Sequence, residues 1–165
     1  MKIEQQVCDI KLAQKLKELK VKQDSVWYWE NIQRKDFILS PKEKLMAIVD
    51  DDPENGGWTY LEQGLSEGNV FSAFTVAELG ELLPESVIID NQVYILEEVK
   101  YKENKRVIQL VSYVFLGEKI GKRQIQDSKL IFGKSVEDKI EANSRAKLAI
   151  YLIEKGLIKI TKVKS

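Results

Sequence analysis

The sequence predicts a single α+β domain in which helices cover both faces of a mainly antiparallel sheet, an α/β/α-type sandwich. Three observations predict it. Two runs rich in Val, Ile, Leu and Tyr, Gln92–Tyr101 and Lys105–Phe115, flank the polar Lys102-Glu103-Asn104 and read as a long hairpin. Amphipathic segments with helix start and stop signals stand before and after it. A chain of 165 residues with 44% hydrophobic content suits one core of ordinary size.

Taken in order, Asp9 to Leu19 places Ile10, Ala13, Leu16 and Leu19 at helical spacing, with Leu12 an alternative first member and Asp9 a natural N-cap. Val26, Trp27, Tyr28 and Trp29, bounded by Asp24-Ser25 and Asn31, have the bulk and β-propensity of a strand, and Arg34 to Leu39 reads as its return. Lys42 to Val49 fits a short helix or a strand, and Asp50 to Gly57 is dense in turn formers. The stretch from about 40 to 70 is therefore expected to be an acidic insertion or excursion from the domain that spans 1–165.

Thr75-Val-Ala-Glu78 is a capping box, Leu79, Leu82 and Leu83 continue its helix, and Pro84 ends it. The second hairpin strand has few polar positions between Val107 and Phe115, which marks it as central. The last helix is expected to start at Ser135, with Asp138 in capping-box register, and to stop at Gly156. Its stripe of Ala142, Ala146, Ala149, Ile150 and Ile153 permits close approach to a sheet. No internal repeat appears.

Charge is balanced overall, 26 basic against 26 acidic residues, but it is not evenly spread. Between Leu45 and Val99 there is no lysine or arginine, and there are twelve carboxylates: Asp50, Asp51, Asp52, Glu54, Glu62, Glu67, Glu78, Glu81, Glu85, Asp90, Glu97 and Glu98. Such polarity describes a surface and its partners rather than a reaction. Zero net charge makes nucleic acid an unfavoured partner, and a local patch would be needed to bind it. The lysines at 11, 15, 17, 20 and 22, with 155, 159, 162 and 164, read as a solvated face.

The longest apolar run, Leu148 to Ile153, is far short of the ~20 residues that cross a bilayer, so no membrane role is expected. The lone Cys8 has no partner for an internal disulfide, and no secretory leader is evident. Both point to the cytoplasm.

Several chemistries drop out. The chain has no histidine, which removes Ser-His-Asp and Cys-His nucleophile pairs and the usual catalytic zinc sites. Cys8 sits beside a helix start, where a dipole can lower a thiol pKa, yet without a base it is better read as a packing thiol. Gly117 to Arg123 resembles a phosphate-binding loop, but three residues separate its glycines where the motif needs four, and Arg123 stands where a hydroxyl should.

Asp51 to Glu62 partly matches a calcium loop of the EF-hand type. Asp51, Asn55, Thr59 and Glu62 fall at positions 1, 5, 9 and 12, Gly56 supplies the turn at 6, and the carbonyl of Gly57 stands at 7. Pro53 occupies position 3 and removes a ligand, while Gly64, Gly68 and Asn69 interrupt the expected exiting helix. The plainer reading is an acidic Asn-Gly-Gly turn. Glu97 and Glu98 point to opposite faces of a strand and cannot act together, whereas Trp27 and Trp29 share one face and read as core rather than as a stacking platform.

Phe71-Ser-Ala-Phe-Thr-Val-Ala-Glu-Leu-Gly-Glu-Leu-Leu-Pro84, together with Leu12 to Leu19, Trp27-Tyr28-Trp29 and Arg145 to Glu154, resembles a family of small uncharacterised proteins encoded by bacteriophages and prophage-like regions of gut bacteria, Bacteroides relatives among them. The likeness covers most of the chain outside about 40–68. It implies a helix–sheet–helix sandwich and a mobile-element origin, and it carries over no catalytic or binding residue.

The expected function is that of a non-enzymatic cytoplasmic binding or accessory protein that acts through its surface and uses no cofactor or catalytic residue. Its partner, of unknown identity, is expected to meet the acidic 50–67 region. The alternatives are an acidic mimic of nucleic acid that inhibits a host protein, and an enzyme built from carboxylates around a metal ion.

Overall fold

The computed structural model describes residues 2–32, 36–46, 59–89, 92–103, 106–115 and 136–158. After a 3-10 turn at Ile3–Gln5 come α1 (Ile10–Glu18), β1 (Trp27–Ile32), β2 (Asp36–Pro41), α2 (Lys42–Leu45), α3 (Tyr60–Glu67), β3 (Val70–Ser72) and α4 (Val76–Leu82). They are followed by β4 (Ser86–Ile89), β5 (Gln92–Glu103), β6 (Arg106–Phe115), β7 (Val136–Asp138) and α5 (Glu141–Glu154). The fold is α+β. Its described strands form two antiparallel sheets rather than one, in the orders β2-β1-β3 and β4-β5-β6-β7.

The first sheet is covered on both sides, and the alternation of its strands shows how. Tyr28 pairs with Ser40 and Ser72, and Glu30 with Ile38 and Val70, so these residues share one face. Tyr28 and Val70 pack there with Leu45 of α2 and Leu61 and Leu65 of α3. Trp29, Phe37 and Phe71 lie on the other face and join the main core, with the two Phe rings 5.8 Å apart and tilted by 60°. Trp29 is thereby a core residue, and its indole N–H donates to Cys8 O at 2.9 Å.

Both sequence-derived N-caps in the first half are formed. Asp9 accepts from the Leu12 amide at 3.0 Å, and Asn143 of α5 accepts from the Asp9 amide at 2.8 Å, which fixes α1 against α5. Thr75 and Glu78 make their reciprocal capping box, and Glu78 also accepts from Ser25 Oγ and the Val26 amide. One carboxylate thus ties the start of α4 to the entry of β1.

The excursion expected at 40–70 contributes core residues wherever it is described. Leu45, Leu61 and Val70 are buried, and Val70–Ser72 is the third strand of the first sheet. An exiting helix does follow Thr59, despite Gly64, Gly68 and Asn69. Gly64 leaves room for Val70, and Gly68 takes the left-handed conformation, φ 75°, that ends a helix.

In the second sheet, Val87, Tyr94, Leu96 and Val111 join the same core as α5, whose Ala142, Ala146 and Ala149 are fully buried. The small residues let the helix approach β6 and β7 closely, as the alanine stripe predicts. The start of that helix needs correction: Val136–Asp138 pairs with Gln109–Val111 as β7, and the helix begins only at Glu141. Ladder bonds to β6 outcompete a capping box at Ser135, and Asp138 instead accepts from the Ile140 amide at 3.0 Å. At the far end, Gly156 at φ 68° and the Leu157 amide bonding back to Leu152 O close the helix as expected.

Candidate functional site

Cys8 is fully buried, and its amide donates to Phe74 O. Burial pushes its thiol up to about 12, against the opposing pull of the Phe74 backbone contact. A thiol sealed from solvent and held protonated in this way is disfavoured as a nucleophile. The packing role read from the sequence is the one the geometry supports.

Of the partial calcium loop, Asp51, Asn55 and Gly57 lie outside the described residues. Thr59 and Glu62 form a second capping box, in which Thr59 Oγ1 accepts from the Glu62 amide while Glu62 Oε2 accepts from the Thr59 amide and hydroxyl at 2.9 and 2.8 Å. Those donors hold the Glu62 carboxyl below the ordinary carboxylate range. Thr-x-x-Glu was legible here as a helix start, the signal used at Thr75. Glu67, the other described acid of the 50–67 region, accepts from Gln63 and Asn69. Among the described residues no group of three or more Cys, Asp or Glu is placed to hold a metal ion. The glycine turn at 117–123 lies outside the described residues.

A cluster that sequence reasoning missed lies under α2. Period-two alternation puts Glu30 on the same face as Tyr28, where it is only 2% exposed. Ser40, also 2% exposed, donates to Glu30 Oε1, and Lys44 Nζ reaches the same oxygen at 2.7 Å and Ser40 Oγ at 3.2 Å. Serine, lysine and glutamate together suggest a nucleophile with its base. The arrangement rules against that: the hydroxyl proton is directed at a carboxylate, a weak base, and the oxygen has almost no access for a substrate. The cluster is a closed charge pair that satisfies a buried acid.

A second network joins α5 to the second sheet. Arg145 donates from one guanidinium nitrogen to both oxygens of Glu98, at 2.7 and 2.8 Å, and to Glu141 at 3.0 Å. Gly80 of α4 makes room for it, since a Cβ there would lie 2.8 Å from Arg145 Nη1. Glu98 of the acidic stretch is therefore neutralised from α5, while Glu97 belongs to the opposite side of β5.

That opposite side is the candidate functional surface. Ile88 is 72% exposed, Val93 44% and Ile95 38%. Ile88 pairs directly with Val93, and Ser86 with Ile95, so the three side chains are neighbours across two strands. Exposed Glu81 and Glu85 precede β4, and Glu97 continues the same side of β5. The sequence concealed this surface because Val93-Tyr94-Ile95-Leu96 is apolar on both sides, a pattern that ordinarily marks a strand covered twice.

No described helix is long and apolar enough to cross a membrane. No family model, curated protein or solved structure matches the chain.

Proposed function

We propose that the chain is a cytoplasmic, non-enzymatic binding protein of phage or prophage origin, which holds a partner protein against the open side of its second sheet. The observation that carries this reading is Ile88, a large apolar side chain 72% exposed beside Val93 and Ile95 on ordered strands. A cluster of apolar side chains facing solvent from a sheet is a feature of interaction surfaces. The sealed Cys8 and the closed Glu30–Ser40–Lys44 cluster favour binding over catalysis. A lone, buried cysteine supports a reducing compartment, and the likeness of the helical segments to small phage-encoded proteins supports the origin.

The partner surface favoured here differs from the acidic 50–67 region. Its described acids, Glu62 and Glu67, are hydrogen-bonded within the molecule, whereas Ile88 and Val93 are open. Affinity capture from host lysate at low and high salt, with the wild-type protein and an Ile88→Lys, Val93→Lys variant, tests the reading. A captured protein that withstands high salt and is lost with the variant is expected, because apolar contacts are not screened. Equal capture by both proteins would refute it.

A further inference from the structure

The position of the open surface at a sheet edge says what kind of partner it fits. β4 pairs with β5 on one side, and no described strand pairs with it on the other. The Leu96 amide donates to Glu85 O at 2.9 Å, and bonding direction alternates along an antiparallel strand. Glu85, Val87 and Ile89 thus bond toward β5, while Ser86 and Ile88 turn their N–H and C=O groups outward. Ser86–Ile89 is a short edge of four residues, but it carries no lysine, no proline and no bulge to block pairing.

Charge selects among the occupants. The edge belongs to the stretch from 45 to 99, which has no lysine or arginine, and Glu81 and Glu85 stand exposed at its entry. A second copy of this chain would bring more carboxylates and no cation from the same stretch. A basic strand would be complementary.

We propose that β4 is a docking edge to which an extended segment of a partner protein adds as an antiparallel fifth strand. That segment would alternate apolar residues with lysine or arginine. Backbone bonds to Ser86 and Ile88 would hold it in register, its apolar residues would extend the Ile88–Val93 surface, and its cations would meet Glu81 and Glu85. This inference rests on the reading of the second sheet's open side as a binding face.

The test selects binders from a library of random short peptides against the full chain. Alternating apolar and basic sequences are expected to be enriched. Ser86→Pro removes an outward N–H and no apolar side chain, and should weaken the selected peptide by at least about tenfold, whereas Ser86→Ala should leave it unchanged. Methylating alternate backbone nitrogens of the peptide should abolish binding in one of the two phases, a readout that does not depend on how the proline variant folds. Undiminished binding by Ser86→Pro and by peptides methylated in either phase would overturn strand addition while leaving the face reading intact. If Ile88→Lys is also without effect, or if the library yields no saturable binder, both readings fall.

Discussion

The two sheets of this molecule treat their apolar residues differently. In the first, each face has its own cover, α2 and α3 over Tyr28 and Val70 and the main core over Trp29, Phe37 and Phe71, with Ile38 of the outer strand β2 41% exposed. In the second, one side is sealed by α5, while the other leaves Ile88, Val93 and Ile95 in contact with water. Similar strand sequences therefore do different work. A covered apolar residue on the first sheet, such as Tyr28, stabilises the fold, whereas Ile88 on the open side of the second contributes little to it and is available to a partner.

The sharpest way to break this comparison is to truncate one residue on each sheet. Tyr28 is fully buried, its hydroxyl accepts from the Ser25 amide at 3.0 Å, and Tyr28→Ala should cost about 3–5 kcal/mol. Ile88→Ala should change stability by less than about 0.5 kcal/mol, because the side chain is already solvated. Urea midpoints of the two variants decide. Comparable losses would mean that the open side is part of the core after all.

Charge follows the same division. Glu30 is buried among apolar neighbours, and Lys44 is its cationic partner among the described residues. Lys44→Met would leave a buried carboxylate with Ser40 alone, at a cost of about 1–2 kcal/mol once the 54% exposure of the Lys44 side chain is allowed for. Double replacement by Glu30→Leu and Lys44→Met should recover much of that loss, since the uncompensated charge is gone. A Lys44→Met variant as stable as the wild type would show that Lys44 acts by packing its stem, which methionine keeps, rather than by pairing.

Two glycines sharpen the contrast at smaller scale. Replacing a helical glycine by alanine ordinarily gains about 1 kcal/mol. At Gly64 the new Cβ would run into the Val70 side chain, which is buried under α3 and cannot yield, so Gly64→Ala should instead lose about 1–2 kcal/mol. At Gly80 the obstacle is the far end of Arg145, which can swing, and the intrinsic gain should offset the disturbed Glu98 contact to within about 0.5 kcal/mol. Thermal melts of both variants test the pair.

These particulars also explain what could be read in advance. Local chemistry was legible: Asp9, the Thr75–Glu78 box and the Gly156 stop are decided within one turn of helix, and the long hairpin is decided by its own turn. Features decided by distant partners were not. β3, β4 and β7 are three or four residues long and exist because β1, β5 and β6 bond to them. Gly64 looked like a helix breaker because Val70, which needs its space, is recognisable only in three dimensions. Glu30 carried a usable signal, a charge in phase with Tyr28, but nothing in the sequence tied it to Lys44.

The last contrast is in pH. Unlike the deeply buried Glu30, Asp138 beside the second sheet is partly exposed. Burial opposes its ionisation, but the Lys147 ammonium at 2.7 Å, the Ile140 amide and Asn143 together hold its carboxyl below the ordinary aspartate value. A lowered folded-state pKa means stability that is fully present above the unfolded value, near 3.8, and is lost as pH falls through the folded one. Because Lys147 is well solvated, the contribution should stay under about 1 kcal/mol. Asp138→Asn keeps an acceptor for the Ile140 amide and removes the charge, so its melting temperature should lie below the wild-type value at pH 6 and converge on it toward pH 2. Equal melting temperatures at pH 6 would assign the role of Asp138 to the Ile140 hydrogen bond, which asparagine keeps, and the edge of the second sheet would then be held by backbone geometry rather than by charge.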